Sequence, residues 1–104
     1  MHKMIVDNPE KRFVRNFLDI TLLSMLTKES LWGYKMMALL KEKYNVKVGP
    51  PVIYPLLDIM EKNGLIISWE TKISNRIRKM YVITDEGQKY LKKIGEFIIK
   101  LAKD

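Results

Sequence analysis

The feature that most restricts the fold of this chain is a change of period at Asn63-Gly64. Up to that point apolar residues recur at helical spacing; beyond it they alternate, and after Ile83 helical spacing returns. Leu65, Ile67, Trp69 and Thr71 alternate with Ile66, Ser68, Glu70 and Lys72, the two-residue period of a strand. A second strand is expected from Lys79 to Ile83, with Tyr81 and Ile83 on one face and Met80 and Val82 on the other. The polar stretch from Ile73 to Arg78 joins them, so residues 65–83 are predicted to form an antiparallel hairpin.

Helices are expected on both sides of it. Asn8-Pro9-Glu10 reads as a helix start, because Asn can cap, Pro lacks only an N–H that would be unpaired, and the acid suits the helix dipole. Phe13, Val14, Phe17, Leu18, Leu22, Met25 and Leu26 continue one helix over 9–27, ended by the polar Lys28-Glu29-Ser30. A second helix over 31–44, capped by Ser30, has Gly33, Met37, Leu40 and Tyr44 as its inner stripe with Met36 beside it. The third, 52–63, carries Ile53, Leu56, Leu57 and Met60 on one face, with Pro55 in its first turn. Asn63-Gly64 closes it, since glycine accepts a left-handed conformation. Thr84 caps a last helix over 85–102, with Asp85 and Glu86 in its first turn. Three helices, a hairpin and a helix make an α+β, mainly α, winged helix-turn-helix. The expectation is one domain over 1–104, with an N-terminal helix and a C-terminal dimerisation helix.

Composition narrows the function. With 104 residues the chain can bury a core without metal or disulfide. It has no cysteine, which excludes thiolate chemistry, and its one histidine, His2, can anchor neither a triad nor a His-based metal site. Asp58 and Glu61 share a helix face but lack an accompanying base or nucleophile, so they read as solvated surface. No catalytic residue, metal ligand or cofactor is expected, and the chain is expected not to be an enzyme. No signal peptide or membrane span is visible, which points to the cytoplasm. The net charge of +7 favours a polyanionic partner, nucleic acid before membrane.

That charge is concentrated. Residues 71–79 hold Lys72, Arg76, Arg78 and Lys79 and no acid, so the hairpin is expected to reach phosphates. The third helix offers Pro51, Val52 and Tyr54 near its N-terminus, followed by Pro55 and Asp58. None of these is the Arg, Lys, Asn or Gln that makes bidentate base contacts, which leaves thymine methyls for the apolar groups and phosphate for Tyr54. In the last helix Gly87, Leu91, Ile94, Ile98 and Leu101 follow at spacings of 4, 3, 4 and 3, flanked by Tyr90 and Phe97. This seam, with Phe13 and Phe17 of the first helix, predicts a homodimer. Trp32 and Trp69 are read as core residues.

Several segments resemble the PadR-like family of winged-helix transcriptional regulators over about residues 18–91. Leu31-Trp32-Gly33-Tyr34 is similar to the family's leucine-histidine-glycine-tyrosine turn, with Trp32 in place of histidine. Leu22-Leu23-Ser24-Met25-Leu26 resembles its opening helix, Ile53-Tyr54-Pro55-Leu56-Leu57 its recognition helix, and Asn63-Gly64-Leu65-Ile66 the step into the wing. Arg78 to Gly87 resembles the stretch that ends the hairpin. The resemblance implies a homodimer, joined through its first and last helices, that binds double-stranded operator DNA and represses. It implies phosphate contact by Tyr54 and wing contacts by Arg76, Arg78 and Lys79. Where the family has Ser or Thr at the start of its recognition helix, this chain has Pro51 and Val52. Some members bind aromatic effectors between tryptophans of the last helix, which has none here, so any small-molecule effector is unidentified. The alternatives are a winged-helix protein-interaction module and a non-specific DNA-architectural one.

Overall fold

The computed structural model describes residues 8–104, which open on the cap foreseen from Asn8; His2 lies outside the described residues. The Asn8 side-chain oxygen accepts hydrogen bonds from the N–H groups of Glu10 (2.8 Å) and Lys11 (3.2 Å), with Pro9 in the first turn. The helices are α1 (Pro9–Asn16), α2 (Leu18–Leu26), α3 (Gly33–Tyr44), α4 (Pro50–Lys62) and α5 (Asp85–Lys103). The strands are β1 (Leu31–Trp32), β2 (Ile66–Ile73) and β3 (Arg76–Ile83), forming one antiparallel sheet in the order β1-β3-β2.

The single helix expected over 9–27 is two. Phe17, at φ −127° and ψ 55°, leaves the helical region, although its N–H still bonds the Phe13 carbonyl at 2.8 Å. The Phe17 carbonyl then receives the Thr21 N–H at 3.1 Å and the Thr21 hydroxyl at 3.0 Å. Burial explains the break. α1 buries only Val14, whereas α2 buries Ile20, Thr21, Leu22, Leu23, Met25 and Leu26 and runs through the centre of the fold. One straight helix could not lie on the surface and through the core in succession.

The second helix starts at Gly33, not at 31, and Ser30 does not cap it. Leu31 and Trp32 pair instead with Tyr81 and Met80 of β3, and extended Trp32 takes the cap position without a side-chain hydrogen bond. Its inner stripe shifts by one position, to buried Gly33, Met36 and Leu40, with Met37 and Tyr44 half-buried. The third helix begins at Pro50, so Pro50 and Pro51 occupy its first turn and Pro55 falls inside the helix. Pro55 is exposed, and it lacks the N–H that would bond the carbonyl of Pro51 one turn earlier. Ile53, Leu57 and Met60 of α4 are buried, as their spacing predicts.

The hairpin is longer and its loop shorter than expected. β2 and β3 stay paired out to Ile73 opposite Arg76, joined by Ser74 and Asn75 alone. Both turn residues have positive φ, 50° and 64°, the requirement of a type I′ turn, whose twist matches that of the strands. The strand faces are also exchanged relative to expectation for β2. Ile66 is fully buried and Ser68 half-buried beneath it, while Ile67 and Trp69 are 53% and 45% exposed. Trp69 is therefore not a core residue. Ser68 faces inward because Glu61 of α4 accepts its hydroxyl, at 2.8 and 3.1 Å to the two carboxylate oxygens.

α5 is rooted at the base of the hairpin. Thr84 caps it through the Gly87 N–H at 3.0 Å, and its hydroxyl donates to the Gly64 carbonyl at 2.6 Å. Gly64, at φ +77°, supplies the left-handed turn that closes α4. Gly87 is buried, and any side chain there would strike the Leu65 carbonyl and the Ile83 side chain. It is thus a packing glycine within the chain rather than part of an outward seam.

Candidate nucleic-acid interface

The hairpin carries its cations on both faces. Pairing and alternation put Arg76 and Arg78 on the side of Trp69 and Met80, and Lys72 and Lys79 on the side of Tyr81. The register adds what the linear segment conceals: Glu70 stands directly opposite Lys79, so that lysine has an acidic cross-strand neighbour. Lys72, Arg76 and Lys79 are exposed, and Ile77 near the tip is 73% exposed. Among the described residues the one ion pair is Glu86–Lys89 on α5, at 3.6 Å, so no carboxylate neutralises the hairpin cations directly.

Arg78 differs from the other three. It is half-buried, its guanidinium carbon 5.6 Å from the centre of the Trp32 ring and 5.9 Å from that of the Tyr34 ring. Both distances fall within cation–π range. Trp32 ends β1 and Tyr34 lies in the first turn of α3, so residues more than forty positions apart meet here. Between them Gly33 receives the Tyr54 ring of α4, since a side chain at 33 would overlap the Tyr54 ring and hydroxyl. The Tyr54 hydroxyl is pushed above its ordinary pKa by burial first and by Tyr34 second, with Arg78 acting in the opposite direction. It therefore remains a neutral O–H donor across the ordinary pH range.

The structure thus brings together Tyr54 and Arg78 of the predicted site and adds Trp32 and Tyr34, which sequence reasoning left out. The resemblance to a leucine-histidine-glycine-tyrosine turn marked the segment Leu31 to Tyr34, but its partner on β3 becomes visible only with the strand pairing. Pro51 and Val52 lie at the exposed start of α4, Val52 with 52% of its surface open. Pro55, Asp58 and Ile59 continue that exposed side, so α4 shows solvent an apolar strip with one acid.

A second surface lies between α1 and α5. Phe13 and Phe17 pack with their ring centres 4.8 Å apart and planes tilted by 37° and, with Tyr90, Ile94, Phe97, Ile98 and Leu101, line an open groove of about 490 Å³. Phe17, Phe97 and Leu101 are 49%, 57% and 59% exposed. Leu91 packs instead against the core of its own chain. Among the described residues no helix is long and apolar enough to cross a membrane.

Helices α2, α3 and α4 against a three-stranded sheet, with a cation-bearing hairpin following the second helix of the turn, define a winged helix-turn-helix protein. The model of the transcriptional regulator PadR-like family matches residues 22–93, and the chain belongs to that family. It is similar to a transcriptional regulator from Clostridium thermocellum, with 28% identity over 88% of this chain and 92% of that one and a TM-score of 0.76. It is also similar to a PadR family transcription regulator from Clostridium difficile, with 29% identity, coverage of 84% and 95%, and a TM-score of 0.71. A PadR-like transcriptional regulator from Bacillus cereus shares 27% identity over 88% of this chain and 90% of its own, with a TM-score of 0.76. No curated protein sequence matches the chain.

Proposed function

We propose that two copies of this chain join through the α1–α5 groove and repress transcription by occupying operator DNA in the cytoplasm, through binding alone and without catalysis. The observation that carries this reading is the pairing of two unfinished surfaces on one small fold. One is an apolar groove whose aromatic rings stand open to water; the other is a hairpin whose cations have no ion-pair partner among the described residues. The first is suited to a second copy, because uncovered Phe and Leu side chains lose their contact with water when paired. The second is suited to phosphate.

In the dimer two α4 helices about one DNA turn (~34 Å) apart would meet a pseudo-palindrome. About three wing cations of each copy would neutralise phosphates, with Tyr54 as an uncharged donor beside them, so six charged contacts set a log–log salt slope near −5. Sedimentation equilibrium, and anisotropy of a labelled duplex across a salt series, test both halves. The expected results are a dimer and a steep slope, and a double Phe97→Glu, Leu101→Glu variant that is folded, monomeric and at least a hundredfold weaker on DNA. A monomeric wild type, or binding that ignores salt, overturns the reading.

A further inference from the structure

Four cations decorate the hairpin, yet only Arg78 is held. Its neighbours Arg76, Lys72 and Lys79 are exposed, whereas Arg78 lies against two aromatic rings supplied by one tripeptide, Trp32-Gly33-Tyr34. The same tripeptide seats the Tyr54 ring on its glycine. Three residues of one turn thus set both the cation and the hydroxyl.

We propose that Trp32 and Tyr34 are positioning residues that hold the Arg78 guanidinium beside the Tyr54 hydroxyl as a preformed clamp for one DNA backbone phosphate. The inference rests on the DNA-binding reading above and deepens it. The chemistry fits an anion. The guanidinium makes no hydrogen bond and no ion pair among the described residues, so its N–H donors are unspent. An attraction to ring faces draws on its charge while leaving those donors for phosphate oxygens. The Tyr54 hydroxyl, seated on Gly33 between the two residues whose rings hold Arg78, supplies a second donor on the same turn. An arginine already ordered loses less side-chain freedom on binding than one swinging in solvent, which is where the gain in affinity originates. A wing cation without such a platform, Arg76, can contact phosphate only by freezing out its own motion.

A double-mutant cycle tests this on the full chain, using a fluorescein-labelled duplex long enough for two half-sites and a KCl series. Tyr34→Leu and Trp32→Leu are each expected to weaken binding by about threefold to fivefold per protomer, the strength of an exposed cation–π contact. In an Arg78→Ala background both should have no further effect. The salt slope should stay unchanged in Tyr34→Leu and become shallower by about 0.9 per protomer in Arg78→Ala. Tyr34→Phe and Trp32→Tyr, which keep a ring, should retain wild-type affinity. Equal losses in both backgrounds would show that the rings act through the fold and overturn the proposal. Tyr34 is 57% exposed, so its cycle stands even where Trp32→Leu fails to fold. Wild-type chain that does not bind the duplex overturns the DNA reading, and this inference with it; binding that survives Arg78→Ala at full strength overturns the clamp alone.

Discussion

The wing and α4 stand side by side at Tyr54 and Arg78, yet their chemistry is opposed. The hairpin carries three exposed cations and a half-buried Arg78, while the open side of α4 shows Pro51, Val52, Pro55 and Ile59 with Asp58 among them. One element is suited to holding any DNA and the other to discriminating by shape and methyl groups. Under the proposed function, affinity would reside in the wing and sequence preference in α4, and the two could be altered separately.

The largest expected effect comes from stripping the wing. Arg76→Ala with Arg78→Ala removes two phosphate contacts per protomer, four per dimer, and should make the salt slope shallower by about 3.5. Affinity at moderate salt should fall by about a hundredfold, equally for every duplex tested. A loss that depends on sequence would mean that the wing reads bases, and the contrast with α4 would be broken. The second test addresses α4 from the DNA side. Replacing thymine by deoxyuridine in a bound duplex deletes the methyl groups that Val52, Pro51 and Pro55 can touch. Each buried methyl is worth about 0.8 kcal/mol, so affinity should fall about fourfold per contacted thymine with the salt slope unchanged. Indifference to deoxyuridine would leave the apolar strip free for a protein partner instead.

The smallest effect concerns the joint between the two elements. Tyr81 of β3 is buried, and its hydroxyl is pushed up to about 12 by burial first, then by Asp58, Tyr54 and Glu61, all on α4. The folded protein holds this proton more tightly than the unfolded chain, so the contribution is intact below pH 10 and is lost as pH rises toward 12. Thermal melts should show an alkaline decline worth at most about 3 kcal/mol, flattened in Tyr81→Phe, with DNA binding at neutral pH unchanged. An unchanged alkaline decline in Tyr81→Phe would place the titration elsewhere.

Local chemistry was legible where one residue decides. The caps at Asn8 and Thr84, the left-handed Gly64 and the buried face of α4 all follow from spacing and residue type. What stayed hidden required partners far along the chain. Leu31 and Trp32 become a strand only because β3 arrives some fifty residues later. The break at Phe17 is invisible to periodicity, since helical spacing continues through it and only burial changes. Alternation in β2 identified two faces correctly, but hydrophobicity chose the wrong one. Trp69 and Ile67 are larger apolar groups than Ser68, whose inward place depends on Glu61 as acceptor. At the site, Tyr54 and Arg78 were legible as separate groups, whereas the rings that join them were read as core or passed over.

The rooting of α5 at Thr84 and Gly87 has a mechanical meaning. Over its 19 residues, at 1.5 Å each, this helix is a rod of about 28 Å, rooted at its base and held against the core as far as Leu91. With no side chain at 87 to act as a spacer, the rod bears directly on the Leu65 carbonyl, at the point where α4 hands over to the wing. A bend of about 10° beyond Leu91 carries the far end, about 18 Å away, roughly 3 Å, and the reverse holds. In a dimer joined along these rods, leverage converts a slight repacking of the groove into a change in the distance between the two reading heads. Any molecule seated among Phe13, Phe97 and Leu101 would have its hand on the long arm.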